Sequence, residues 1–305
     1  MTSIPDFRLP RRDHGLFAWS SWDAVSVLAG IAHLAFVVWI VAGFSARPWW
    51  GNLACGLAFA YAAAWNINSV AHNFIHTPYF RWPPLNAAFS VVESLALLTP
   101  QRFYAHVHLR HHQGNSDRPG PDGETLDWLS IYRHGRDGQP EPAWSYVLKG
   151  VFRDSAGDIY RAMKARRPAD AAFGRFEVAA VALFVLTLLV VNWQAVLSLV
   201  PFYYLGECAS QLNGYYEHFG GDPERPIAWG VSTYAPLYNL VWFNNGHHAE
   251  HHLRPAVHWT RLPAFHQAIA GEQARAGVHV IETAHTVGFL APANRRLRHA
   301  PQVTA

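Results

Sequence analysis

Residues 178–212 read VAAVALFVLTLLVVNWQAVLSLVPFYYLGECASQL. Two apolar runs, 178–191 and 195–212, are separated only by NWQ. So short a joint forces the second run back alongside the first. Each arm approaches the ~20 residues that cross a bilayer core, the first by borrowing flanking residues. The pattern occurs once more upstream, where apolar runs 24–44 and 50–70 are joined by SARPW. Two tandem apolar hairpins are hard to bury in a soluble domain of this size. The expected fold is therefore an all-α integral membrane protein with four spans, about 24–44, 50–70, 178–193 and 195–213. The apolar stretch 85–98 is too short to span and reads as a re-entrant or interfacial helix. A cytosolic helical cap carries the remaining motifs.

Composition supports this reading. Half of the 305 residues are apolar and 15% are charged, against roughly 25% charged in soluble domains. Cys55 and Cys208 both lie in apolar runs, which argues against a disulfide framework or a Cys-ligated metal. The N-terminal MTSIPDFRLPRRDHG lacks the apolar centre of a cleavable signal. One domain over 1–305 is expected, with a loosely held tail at 290–305. Two hairpins leave the N-terminus, 71–176 and everything after about 213 on one side. All basic residues except Arg47 fall there, so that side is expected to be cytoplasmic. A bacterial inner membrane is the expected location, and no nucleic-acid partner is expected.

The same side collects the histidines. HNFIH puts His72 and His76 four apart, with Trp65 and Asn68 extending the stripe backwards. HLRHH places His108, His111 and His112 at i, i+3 and i+4, a single face if helical, and HAEHH repeats the spacing with His248, His251 and His252. GYYEHFGG adds His218 just past the fourth span. One such histidine is ordinarily structural. Nine exceed the four ligands of a structural zinc or the three of a catalytic one, and suit two metals. Imidazole alone does not choose among Zn, Cu, Fe and Ni.

HNFIH, HLRHH and HAEHH together resemble the three histidine boxes of the membrane-bound fatty-acid desaturase superfamily, which also holds alkane hydroxylases and carotenoid ketolases. HAEHHLRPAVHWTRLP is similar to that superfamily's third-box pattern, with His258 where a proline is common. The resemblance covers roughly 65–265. It implies a non-haem di-iron centre that activates O2, with His72, His76, His108, His111, His112, His218, His248, His251 and His252 as ligands. It also implies C–H oxidation of a lipid, acyl or alkyl chain. The third box leans toward a desaturase. GYYEHFG resembles an alkane-hydroxylase element, so a hydroxylase or monooxygenase acting on alkane, fatty acid or terpenoid is the alternative.

Other residues carry weaker expectations. His106 and His247 fall outside the box spacing and read as supports for ligands. Glu207 and Gln211 in the fourth span are candidates for substrate contact or ligand support. Asp117, Asp122 and Glu124 could orient imidazoles, and His33, alone mid-span, reads as structural. A metal transporter would need its ligands near the midplane, where only His33 and Glu207 lie. The chain has no four-cysteine cluster and no Gly-rich nucleotide fingerprint. Electrons are therefore expected from a separate ferredoxin, rubredoxin or cytochrome with its reductase. Arg133, Arg136, Arg153, Arg161, Arg166, Arg167 and Arg175 offer a basic surface for an acidic carrier.

Overall fold

The computed structural model describes residues 6–299. The regular elements among the described residues are all helices, with isolated bridges but no strand. The contacts divide the chain into two compact units. A long-helix unit comprises Pro10–Leu109 and Leu148–Ser210, and a loop-rich unit comprises Met1–Leu9, Arg110–Val147 and Gln211–Ala305.

Among the described residues, three helices are long and apolar enough to cross a membrane: Asp23–Ala42 (α1), Trp49–His76 and Pro168–His218. The second is composite. Regular helix Trp49–Asn66 (α2) passes through a π-helical turn, Ile67–Ala71, into His72–His76 (α3). The apolar run at 85–98 is the helix Pro83–Leu97 (α4), which ends at Leu98 in the left-handed region (φ 54°). It is followed by Gln101–Gly114 (α5), Ala143–Gly150 (α6) and Ala156–Arg166 (α7). Pro168–His218 (α8) is interrupted at Asn192 (φ −161°, ψ 92°). The Asn192 Oδ1 accepts a hydrogen bond from the Ala195 N–H at 3.0 Å. An extended residue with a capping side chain ends one helix and starts another, so the expected NWQ loop is reduced to a break at one residue.

Within the long-helix unit, Val37, Ile40, Val41, Phe59, Leu188, Ala195 and Leu199 form the core. Small residues bring α2 and α8 close: a Cβ on Gly206 would stand 2.8 Å from the Ala60 carbonyl oxygen. Backbones that approach in this way are how apolar helices associate where no hydrophobic effect drives them together. Leu28, Ile31, Trp39, Leu183, Leu186, Val190, Leu197 and Val200 remain exposed, the outward apolar faces a bilayer would cover. His33 is buried with its Nδ1 2.9 Å from Asn66 Nδ2, the structural role its isolation suggests.

The π-turn explains a departure from the expected histidine stripe. A π-turn breaks the regular ladder and frees carbonyls. The carbonyls of Ile67, Val70 and Ala71 accept bonds from Tyr104 Oη (3.1 Å), Tyr79 Oη (2.8 Å) and Gln101 Nε2 (3.1 Å). Asn68 donates to the Ala64 carbonyl and to Ser210 Oγ, so it locks α2 to α8 instead of continuing the stripe. Tyr104 and Gln101 lie on α5, so the turn that interrupts α2 also docks the helix bearing the second box.

The loop-rich unit is built on small aromatic and aliphatic clusters. Tyr132, Tyr146, Tyr215, Tyr216 and Ile131 form one; Val257, Leu262, Phe265 and Ile269 form another. Its later helices are Pro236–Val241 (α9), His248–Leu253 (α10), Leu262–Ala276 (α11) and Pro292–His299 (α12). Part of the tail expected to be loose is thus helical, and 300–305 lie outside the described residues.

Candidate metal centre

In the loop-rich unit, His111, His218, His248 and His252 converge, with their ligand nitrogens all within 4.8 Å of one another. All four are buried. Three of them turn Nδ1 outward to a fixed acceptor. His111 Nδ1 lies 2.7 Å from Asp127 Oδ2, His252 Nδ1 2.5 Å from Asn115 Oδ1, and His218 Nδ1 3.3 Å from the Trp229 carbonyl oxygen. A ring that donates from Nδ1 leaves Nε2 as the free base. His218 Nε2 and His248 Nε2 face one another at 3.1 Å. Four buried imidazole bases crowded into so small a space form a donor set that suits a cation.

Electrostatics agree. Burial alone would lower the pKa of His111, but the Asp127 carboxylate outweighs it and holds the imidazole above its ordinary value. Burial would raise Asp127; the charge and hydrogen bond of His111 keep it low. His252 is held well below its ordinary value, first by burial and then by the neighbouring imidazoles. It is a base that stays neutral and ready to ligate.

The braces depend on an unusual loop. After α5, Asn115 and Ser116 both adopt positive φ (51° and 58°), a strained run for residues other than glycine. Gly114 permits it: a Cβ there would lie 2.6 Å from both the Asp127 backbone nitrogen and Cβ. Asp127 Oδ2 also accepts from the Ser116 N–H, and Asp117 holds the Leu126 and Asp127 N–H groups. Of the three acids suspected, Asp117 thus acts one step further out, and Asp122 accepts the Glu124 N–H in its own turn. The residues missed were Asp127 and Asn115. Asn115 at least had a signal, following a glycine directly after the second box.

The remaining box histidines form other groupings. In the long-helix unit His72, His76 and His108 stack together, with His76 Nε2 and His108 Nε2 2.8 Å apart and the His72 and His108 rings 4.6 Å apart. In the loop-rich unit His112 Nε2 and His251 Nε2 stand 3.1 Å apart. The expectation that each HxxHH presents one face needs correction. Positions i+3 and i+4 differ by 100° around a helix, so adjacent histidines address different neighbours. His111 joins the four-histidine group while His112 turns to His251. In the third box His248 and His252 join that group and His251 does not.

Glu217, beside His218, accepts from Asn213 Nδ2 (2.7 Å) and Asn245 Nδ2 (2.6 Å), and its Oε1 lies 3.7 Å from His248 Nδ1. Glu207 sits against Tyr203 in the long-helix unit, and Gln211 is half-buried; neither touches a histidine group in its own unit. His106 lines a cavity of about 160 Å³ in the long-helix unit with Phe74, Ser90, Arg102 and Arg167.

A family model described as fatty acid desaturase matches residues 47–284. The chain belongs to the fatty acid desaturase family. The match takes in all three boxes and His218. No curated protein gives a significant match. Family membership makes it an oxidoreductase, with an implied lipid substrate and membrane association, and the histidine groups are compatible with iron.

Proposed function

We propose that this desaturase-family protein is an O2-dependent di-iron enzyme that introduces a double bond into a fatty-acyl chain. The observation that carries the reading is the group His111, His218, His248 and His252, with three of its rings braced through Nδ1. These four would hold one iron. The other five box histidines are proposed as further iron ligands. Iron, when bound, supplies O2 activation; O2, two electrons and two protons end as two waters while two hydrogens leave adjacent carbons.

The protein's own part follows from its geometry. Asp127, Asn115 and the Trp229 carbonyl fix the tautomers of His111, His252 and His218, so the inward nitrogens need no rearrangement to bind metal. Burial of all four excludes bulk water from the reacting end. Exposed apolar faces on α1 and α8 suit four spans with cytoplasmic termini, given the arginine distribution. Exposed Arg161, Arg166 and Arg175 would steer an acidic electron carrier.

The EHFG element that contributes His218 favours hydroxylation as a second reading. One experiment separates them. The protein is expressed in a host of known lipid content and the products are analysed by mass spectrometry. Loss of two hydrogens supports desaturation, gain of one oxygen supports hydroxylation, and unchanged lipids with an active electron supply would overturn both.

A further inference from the structure

A second cluster of side chains able to hold a metal lies in the loop-rich unit, made from residues outside the proposed iron ligands. His247 precedes α10, Glu250 lies on it, and His266 sits on α11. The ligand atoms of the three lie within 4.8 Å of one another. His266 Nδ1 is 2.6 Å and His247 Nδ1 4.0 Å from Glu250 Oε1. Tyr234 donates to the same oxygen at 2.8 Å, and Ser232 Oγ donates to Oε2 at 2.7 Å. Gln273 Oε1 stands 3.1 Å from His266 Nδ1.

A count of protons shows what this cluster lacks. His266 Nδ1 has at most one proton, yet it faces two acceptors, Glu250 Oε1 and Gln273 Oε1. His247 Nδ1 is buried and makes no hydrogen bond. At 4.0 Å it is too far from the carboxylate to donate to it. A buried ring nitrogen held only at ion-pair distance from its carboxylate is poorly satisfied and calls for explanation. Tetrahedral neighbours on one zinc stand about 3.3 Å apart, between the 2.6 Å of His266–Glu250 and the 4.0 Å of His247–Glu250. An ion would therefore replace the short hydrogen bond and draw His247 in.

We propose that His247, Glu250 and His266 form a further metal site, distinct from the proposed iron ligands, that takes a divalent first-row ion, with zinc the best match to its ligands. Two imidazoles and one carboxylate are a three-ligand zinc set with one open position. The His266 side chain is 24% exposed, against 8% and 0% for His247 and Glu250, so the open position lies toward solvent. Ser232 and Tyr234 hold the carboxylate in place, as outer partners of metal ligands do. A bound ion would clamp α10, which carries three box histidines, to α11.

The test uses the full chain in detergent. Iron-loaded protein is desalted, equilibrated with zinc, desalted again and assayed for both metals. One zinc per chain with iron undiminished is expected. H266A should weaken zinc at least about tenfold while its iron content stays unchanged. H111A should lose iron and keep zinc, so the zinc site stands or falls apart from the di-iron reading. Zinc-edge X-ray absorption on the unaltered protein should show two imidazoles with oxygen, a result that does not depend on how any variant folds. Zinc that binds H266A equally, zinc that enters only by displacing iron, an all-imidazole shell, or no zinc at all would each overturn the proposal and leave a hydrogen-bonded cluster.

Discussion

The two larger histidine groups are built in opposite ways. In the long-helix unit, His72, His76 and His108 ride on α3 and α5, and those helices are fixed by side chains that bond to carbonyls of the π-turn. In the loop-rich unit, His111, His218, His248 and His252 come from three distant segments, and side chains or carbonyls from irregular chain brace individual rings. In the first group the bonds described anchor the helices that carry the ligands; in the second they reach the ligand rings themselves. Substitutions at the ring braces of the second group should therefore cost more than loss of one bond to the π-turn, while loss of a ligand should hurt both.

The largest effect tests that last point. H218A and H72A should each abolish turnover, because each removes an imidazole from a proposed iron. Iron per chain should fall in both, measured by elemental analysis on purified protein. Normal turnover in H72A would mean that only the loop-rich group serves the chemistry, and the comparison would lose its first member.

A smaller loss is expected from D127N. The amide keeps the shape but removes the charge that holds His111 and that also takes the Ser116 N–H. Such outer partners are typically worth about 10–100-fold in metal affinity or activity. Iron should dissociate faster in a chelator challenge, with the helical content by circular dichroism unchanged. A loss under threefold would show that His111 is oriented without its carboxylate.

This contrast also separates what sequence could reveal from what it could not. Helical periodicity made the apolar hairpin arms and box spacings legible, so every histidine of both groups was found before any contact was known. It did not reveal that an HxxHH motif serves two neighbours, because that depends on what lies on each side of the helix. Asp127 was missed because it reaches His111 across a loop whose path depends on two left-handed residues and the room left at Gly114. No periodic pattern encodes such a path. The π-turn at Ile67–Ala71 was equally hidden, since nothing in INSVA forbids an ordinary helix. His247 was read as a support for the box ligands; its approach to His266 needed the fold of α11 onto α10.

Asn115 gives a finer measure of bracing because it both fills a left-handed position and accepts the hydrogen bond from His252 Nδ1. N115G keeps the conformation, which glycine adopts freely, and deletes only the acceptor. N115A loses both. Activity in N115G should fall by about tenfold, the low end of an outer-partner loss, and N115A should fall further with a lower thermal midpoint. Equal behaviour of the two would mean the backbone, and not the hydrogen bond to His252, is what the enzyme needs.

The smallest effect belongs to the long-helix unit, and it is the sharpest test of the comparison. Tyr104 lies one helical turn before His108 and donates to the Ile67 carbonyl at 3.1 Å, yet it is one of three side chains bonded to the π-turn. Y104F preserves the ring that packs against His108, at 5.6 Å between centroids, and removes a single hydroxyl. A lost hydrogen bond of this kind costs about 0.5–1.5 kcal/mol. That should lower the midpoint of thermal unfolding modestly, while Tyr79 and Gln101 keep the turn in place. Turnover should stay within about threefold of the unaltered enzyme, since about 1 kcal/mol divided between stability and alignment leaves little to act on His108. If Y104F instead matched D127N in iron loss, the helix-borne histidines would depend on outer bonds as strongly as the ring-braced ones. The two groups would then share one mode of support.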